Sequence, residues 1–193
     1  LLNKSKNTKF GIDHKFNKID SYKKYKSNVP IRDYEDFKIY INHVREGKED
    51  ITWPGRPLYF AKTSGTTSGT KFIPITKESL PNHINSAKHL LYNYYLKKKK
   101  IKPFLGKVMF LSGSPDLEEK NQIKIGRLSG IVNHHKPLLL KKKSLPNKKT
   151  NQIQNWEKKI DQIAEETIGR DLRIIGGIPP WIQMFFDIII EKT

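Results

Sequence analysis

The stretch YFAKTSGTTSGTKFIPIT, Tyr59 to Thr76, sets two short apolar runs on either side of a block of hydroxyl and glycine residues that ends in a lysine. PLYFAK has the composition of a short strand stopped by the Thr63 to Thr70 cluster, and FIPIT that of a second strand. Pro74 cannot donate to a ladder, so an edge or irregular position is expected for the second strand. A hairpin around a polar loop is the arrangement these features predict. Within the loop, TSGTTSGTK offers closely spaced backbone N–H groups, glycines at 65 and 69 that tolerate positive φ, and hydroxyls on Thr63, Ser64, Thr66, Thr67, Ser68 and Thr70. Donors at that density suit a polyanion such as a triphosphate, because each N–H or O–H bond to a phosphate oxygen is charge-assisted. Lys71 adds one mobile positive charge. On composition alone the same residues fit an ordinary hairpin loop equally well.

The Walker pattern G-x-x-x-x-G-K-[ST] is not met. Gly65 and Gly69 are one residue too close, Thr70 separates Gly69 from the lysine, and Phe72 stands where a magnesium-binding hydroxyl would be. A Walker-type NTPase is therefore not expected.

Outward from the loop, the chain alternates strand and helix signals. Asp33 is a good N-cap, and Phe37, Tyr40, Ile41 and Val44 recur at helical spacing until Gly47 ends the run. Thr76 or Ser79 can cap a following helix, with Pro81 tolerated in its first turn. Leu80, Ile84, Ala87, Leu91 and Tyr94 form one apolar face there, which predicts packing against a sheet. KVMFLSG, Lys107 to Gly113, reads as a buried strand, and IKIGRLSGIV as strand or loop. Asn155 caps a helix with Trp156, Ile160, Ile163 and Thr167 on one side. DLRIIGGIPPWIQMFFDIII is a strand, a glycine turn and a proline-opened helix. Lys97 to Lys100 and Lys141 to Lys143 read as exposed loops, and Glu118 and Glu119 as a solvated turn. Residues 1 to 30 are polar and lysine-rich with scattered aromatics at Phe10, Phe16, Tyr22 and Tyr25. Interleaved strands and helices make the fold class α/β.

At 193 residues the chain can hold one substantial core or a fraction of a larger one. It does not open with methionine and stops within a helical apolar pattern, so it is expected to be a piece of a longer protein. The absence of cysteine excludes disulfides and cysteine-rich zinc sites. No apolar run reaches the roughly 18 residues that span a bilayer, and no signal peptide is visible, so a cytoplasmic location is expected. The net charge of +18 raises nucleic acid or an anionic membrane as a partner. The excess is almost all scattered lysine, however, whereas base reading and bidentate phosphate recognition favour arginine. A solvated lysine-rich surface is therefore expected before a nucleic-acid footprint.

The order hydroxyl, Ser64, Gly65, Thr66, Thr67, a small residue, glycine and then Lys71 resembles the phosphate-loop signature of adenylate-forming enzymes, the superfamily of acyl-CoA synthetases and luciferases. The flanks are similar to one branch, the auxin-responsive Gretchen Hagen three acyl-acid amido synthetases and their bacterial homologues. FLSGSPDLEEKNQIKIGRLSGIVN and IIGGIPPWIQMFFD also look like the bacterial members, so the resemblance runs from about Trp53 to the end, and more loosely through the helix beginning at Asp33. It implies that residues 1–193 are an incomplete part of the large N-terminal, ATP- and acyl-acid-binding domain, with β-sheets flanked by helices. The later nucleotide-binding motifs and the C-terminal domain are absent from the chain.

The implied chemistry has two steps: ATP and a carboxylic acid give an acyl-adenylate and pyrophosphate, then an amine, usually of an amino acid, attacks the activated carbonyl. Carried over by position, Ser64, Gly65, Thr66, Thr67, Ser68 and Gly69 would hold phosphates, and Lys71 would act at the β/γ end as the catalytic cation. Mg²⁺ is expected with the nucleotide, although no aspartate or glutamate is marked as its ligand. The acyl pocket must be mostly apolar with a few orienting polar groups. Leu111, Ser112, Arg127, Leu128, Ser129, Ile131 and Trp181 are candidates, with Arg127 placed to pair with the acid's carboxylate or simply to sit on the surface. Core packing suits Trp181 better, because Met184, Phe185 and Ile188 continue its face. His134 and His135 fit ordinary exposed residues better than a base or metal ligand. Two alternatives carry different expectations: an acyl-CoA ligase-type enzyme sharing the loop, or a basic nucleic-acid-binding module in which the loop grips nothing. The chain by itself is expected to form no amide.

Overall fold

The computed structural model describes residues 1–63 and 69–193, apart from the side chains at 87 and 139. In chain order the helices are α1 (Leu2–Ser5), α2 (Lys9–Asp13), α3 (Tyr22–Asn28), α4 (Tyr34–Arg45), α5 (Leu80–Lys98), α6 (Leu128–His134), α7 (Leu138–Lys143), α8 (Lys148–Asn151), α9 (Trp156–Thr167) and α10 (Pro179–Lys192). The strands are β1 (Tyr59–Lys62), β2 (Phe72–Ile75), β3 (Lys107–Phe110), β4 (Glu118–Lys120), β5 (Ile123–Gly126), β6 (Ser144–Leu145) and β7 (Leu172–Gly176). Two compact units result, one of Leu1–Pro81 with Leu117–Gly126, the other of Asn82–Asp116 with Arg127–Thr193. Sheets flanked by helices make both units α/β in character, as the alternation in the sequence predicts. Among the described residues no helix is long and apolar enough to cross a membrane.

The first unit carries a four-stranded sheet in the order β2-β1-β5-β4. The hairpin is present: β1 and β2 pair antiparallel from Tyr59↔Ile75 to Lys62↔Phe72. β2 lies at the edge, where the missing N–H of Pro74 costs no ladder bond. β5 joins β1 in parallel, and β4 closes the other edge antiparallel to β5. Glu118 and Glu119 therefore sit in a strand and not in a solvated turn. The turn is at Asn121 and Gln122, whose φ values of 51° and 63° match the twist a two-residue hairpin needs.

Helix α4 supplies the core of this unit. Tyr40, Ile41 and Val44 are buried with Ile51, Phe60, Ile123 and Ile125. Asp33 caps it by accepting the Asp36 N–H at 2.9 Å, and Gly47 leaves the helix at φ 88°. Asp33→Ala is expected to cost about 1 kcal/mol of stability, read from urea unfolding. The N-terminal residues close over α4: Phe16 is buried, and Phe10 meets Phe37 and Tyr40 edge-on at 5.4 and 5.1 Å. Tyr22 and Tyr25 stay exposed. Lys4 and Trp53 both donate to the Glu78 carboxylate, at 2.8 and 3.0 Å, and the Lys4 ammonium leads in holding its pKa down to about 2.

The second unit is built on a three-stranded parallel sheet, β6-β3-β7. Met109 and Leu111 from the β3 segment, Ile160, Ile163 and Ala164 of α9 and Phe185 of α10 form its buried core. Asn155 caps α9 by accepting the Lys158 N–H at 2.9 Å. Three expectations are corrected here. Leu91 and Tyr94 of α5 are exposed, so the apolar face drawn from Leu80 to Tyr94 is not covered along its length; α9 and α10 fill the sheet's core instead. Lys141 to Lys143 belong to α7, opened by Pro137, and Lys143 donates to the carbonyls of Phe104 and Leu105 at 3.0 and 3.3 Å. IKIGRLSGIV, open between strand and loop, is β5 followed by α6.

Candidate functional site

In the first unit the hairpin brings its loop ends together. The Thr63 N–H donates to the Lys71 carbonyl at 3.0 Å, and the Lys71 N–H donates to Thr63 Oγ1 at 3.3 Å. Ser64, Gly65, Thr66, Thr67 and Ser68, the expected phosphate donors, lie outside the described residues. Gly69 is exposed with φ 75°, the conformation for which a glycine was expected there. Two cations stand at this mouth. Lys62 pairs with Glu118 at 2.7 Å, whereas Lys71 has no carboxylate partner among the described residues; its ammonium lies 5.4 Å from the Tyr34 ring centroid. A half-buried lysine stem whose charge faces a ring, with no acid paired to it among the described residues, is an available partner for an anion.

In the second unit the other candidates gather about the carboxyl ends of β3 and β7, the edge at which open α/β sheets bind ligands. Leu111 and Ser112 follow β3 and are buried, and the Leu111 N–H donates to the Gly176 carbonyl at 2.8 Å, tying the two strand exits together. Helix α6 packs against the segment after β3. The Arg127 side chain crosses Gly113, where an added Cβ would meet its Nη1 at 3.1 Å, and a Cβ on Gly130 would meet Pro115 at 3.2 Å. Arg127 is exposed, as is Leu128; Ser129 is half-buried in the first turn of α6, and Ile131 is fully buried. Trp181 is half-buried in the first turn of α10 and stacks on Trp156 with centroids 4.2 Å apart, which is the core-packing role. His134 is exposed and its Nε2 lies 3.0 Å from the Pro115 carbonyl; His135 is also exposed.

Among the buried polar groups that the sequence did not mark, Lys159 stands beside the β3 exit. Lys159 is 2% exposed and donates to the carbonyls of Ser112 at 3.1 Å and Asn151 at 2.7 Å. Burial pulls its pKa down to about 8, partly opposed by the charge of Asp116. The signal was in the helix period: 159 follows Trp156 by three and precedes Ile163 by four, on the buried face of α9. Lys159 thus fixes the backbone at Ser112, which the adjoining network of Ser114, Asp116 and Gln154 continues. Among the described residues no three His, Asp or Glu side chains converge as a metal site.

Comparison with known proteins bears on both units. The solved structure described as "AtGH3.15 acyl acid amido synthetase in complex with 2,4-DB" matches 98% of this chain with a TM-score of 0.75 at 20% identity, over 34% of its own length. A second, "GH3.15 acyl acid amido synthetase", matches 96% with a TM-score of 0.70 at 19% identity. The chain therefore spans about a third of the length of these solved relatives, and shares the fold of that part. A curated relative, "Indole-3-acetic acid-amido synthetase GH3.15" of Arabidopsis thaliana, is 38% identical over 63 residues, which are 32% of this chain and 11% of that protein. The GH3 family N-terminal domain matches residues 1–143, including the stretch before the Asp33-capped helix, in which no motif was legible. With residues 1–143 of 193 so matched, the chain belongs to the GH3 family.

Proposed function

We propose that this chain supplies the phosphate-gripping and acid-binding residues of an ATP-dependent acyl-acid amido synthetase. A small carboxylic acid is joined to AMP with release of pyrophosphate, and an amine such as that of an amino acid then attacks the acyl carbonyl, giving an amide and AMP. The observation that carries this is the hairpin mouth, closed by Thr63 and Lys71, with the Lys71 ammonium free of any carboxylate among the described residues. Family membership and a relative described as an indole-3-acetic acid-amido synthetase support it.

The residues fit a nucleotide polyphosphate. Ser64 to Gly69 supply small donors by their composition, and Lys71 stabilises charge accumulating on the departing pyrophosphate. Mg²⁺ would neutralise further phosphate charge when bound with the nucleotide, and no residue here is assigned as its ligand. In the second unit, Arg127 pairs with the acid's carboxylate, and Ser112 and Ser129 orient it beside the apolar face that includes Trp181. Arg127→Ala is expected to raise KM for the acid about tenfold with KM for ATP unchanged, since one charged hydrogen-bonding partner is lost. The protein is taken to work in the cytoplasm, where the nucleotide is available.

The deciding experiment gives the full-length protein ATP, a panel of acids, and either amino acids or coenzyme A. Amide plus AMP supports the proposal. A thioester product would assign the protein to acyl-CoA ligase chemistry instead, and tight nucleic-acid binding with a steep salt dependence and no product would refute both.

A further inference from the structure

We propose that Tyr34 is a positioning residue for Lys71, holding its ammonium at the loop mouth ready for the nucleotide's phosphates. The inference deepens the adenylation proposal and rests on it. Tyr34 opens α4, behind the Asp33 cap, and is half-buried against the core of the first unit. It touches two successive residues at the loop exit. Its hydroxyl accepts the Phe72 N–H at 2.8 Å, and its ring lies 5.4 Å from the Lys71 ammonium. The first contact fixes the backbone where the loop re-enters β2, and the second restrains the flexible stem that this backbone carries.

Helix α4 also holds Phe72 from its other end. The Arg45 guanidinium lies 4.0 Å from the centre of the Phe72 ring, which meets Phe60 edge-on at 6.1 Å. Lys71 is thus flanked by partly buried side chains packed against the core, while its charge stays uncompensated by any acid among the described residues. A lysine left free would lose more rotamer freedom on meeting a phosphate, so restraint beforehand favours binding. A ring does this without neutralising the cation, as a carboxylate would.

The test uses acid-dependent ATP–pyrophosphate exchange by the full-length protein, with Lys71→Ala as the reference. Tyr34→Leu should raise KM for ATP about two- to fivefold with kcat within about twofold, the size of a partly exposed cation–π contact. Tyr34→Phe keeps the ring and should hold KM within about twofold while lowering the melting temperature, because the Phe72 N–H loses its acceptor. Fluorinated phenylalanines at 34 keep the shape while draining the ring face, and should raise KM stepwise even if the leucine variant folds poorly. The double variant Tyr34→Leu/Lys71→Ala should be no worse than Lys71→Ala. A wild-type KM in Tyr34→Leu and the fluorinated series, or independent effects in the double variant, would overturn the inference. Absence of acid-dependent exchange in the wild type would defeat the adenylation proposal, and this one with it; the Lys71→Ala reference separates the two failures.

Discussion

Replacing Lys71 by alanine in the full-length protein is expected to lower kcat/KM for ATP in the adenylation step by about 10²- to 10³-fold, the loss seen when one preorganised donor to developing charge is removed. The reason lies in where charge goes. When the acid attacks the α-phosphate, negative charge accumulates on the leaving pyrophosphate, and a cation fixed at the loop mouth meets it there. The fold should survive. The mouth is closed by the Thr63 N–H on the Lys71 carbonyl and by the Lys71 N–H on Thr63 Oγ1, both of which alanine retains. Melting temperature is therefore the control: it should change little while catalysis collapses. Lys71→Arg keeps the charge but replaces a compact ammonium with a planar fork, and should recover only part of the rate. Unchanged kinetics in the alanine variant would leave the hairpin as an ordinary loop.

Lys159→Ala should destabilise the protein by about 3–5 kcal/mol, and Lys159→Met by about 2–4 kcal/mol. Both leave the Ser112 and Asn151 carbonyls without their present donor, and alanine adds a cavity along the lost stem. The pH dependence follows from burial. Lys159 has its pKa lowered to about 8 when folded, against about 10.4 for an unfolded lysine. Between those values the unfolded chain holds a proton that the folded one has released, so stability rises with pH through that window; below about 8 the cost of burying the charge is fully present. The neutral amine has two N–H groups for its two carbonyls, which suits the deprotonated form. Urea unfolding should therefore show the wild type gaining about 1–2 kcal/mol over Lys159→Met between about pH 7 and pH 9.5. A constant difference would mean the ammonium stays charged in the core.

The hairpin was legible because three signals coincide within eighteen residues: strand formers, a glycine and hydroxyl block, and a proline that suits only an edge. The caps at Asp33 and Asn155 and the βα unit whose helix opens at Pro179 were legible for the same reason, since each depends on local chemistry. The misses depend on neighbours that spacing cannot reveal. The apolar stripe of α5 shows amphipathicity but not what covers it, and Leu91 and Tyr94 are exposed. β4 consists of exposed Glu118, Glu119 and Lys120, and is a strand only because β5 supplies its ladder. Lys159 carries no local mark of its carbonyl partners, although the period of α9 turns it inward. At the site, Lys71 was read from the loop, but Tyr34 lies 37 residues earlier in the chain and carries no local mark of its contact. Arg127 crosses Gly113, next to Ser112, while Ile131 is buried and Trp181 packs on Trp156.

Acid-dependent exchange of labelled pyrophosphate into ATP by the full-length protein is the most direct measurement of whether this hairpin serves adenylation. Label should enter ATP when a carboxylic acid is supplied, without any amine, and that incorporation should disappear in Lys71→Ala. Exchange that ignores the acid, or that persists undiminished without Lys71, would contradict it.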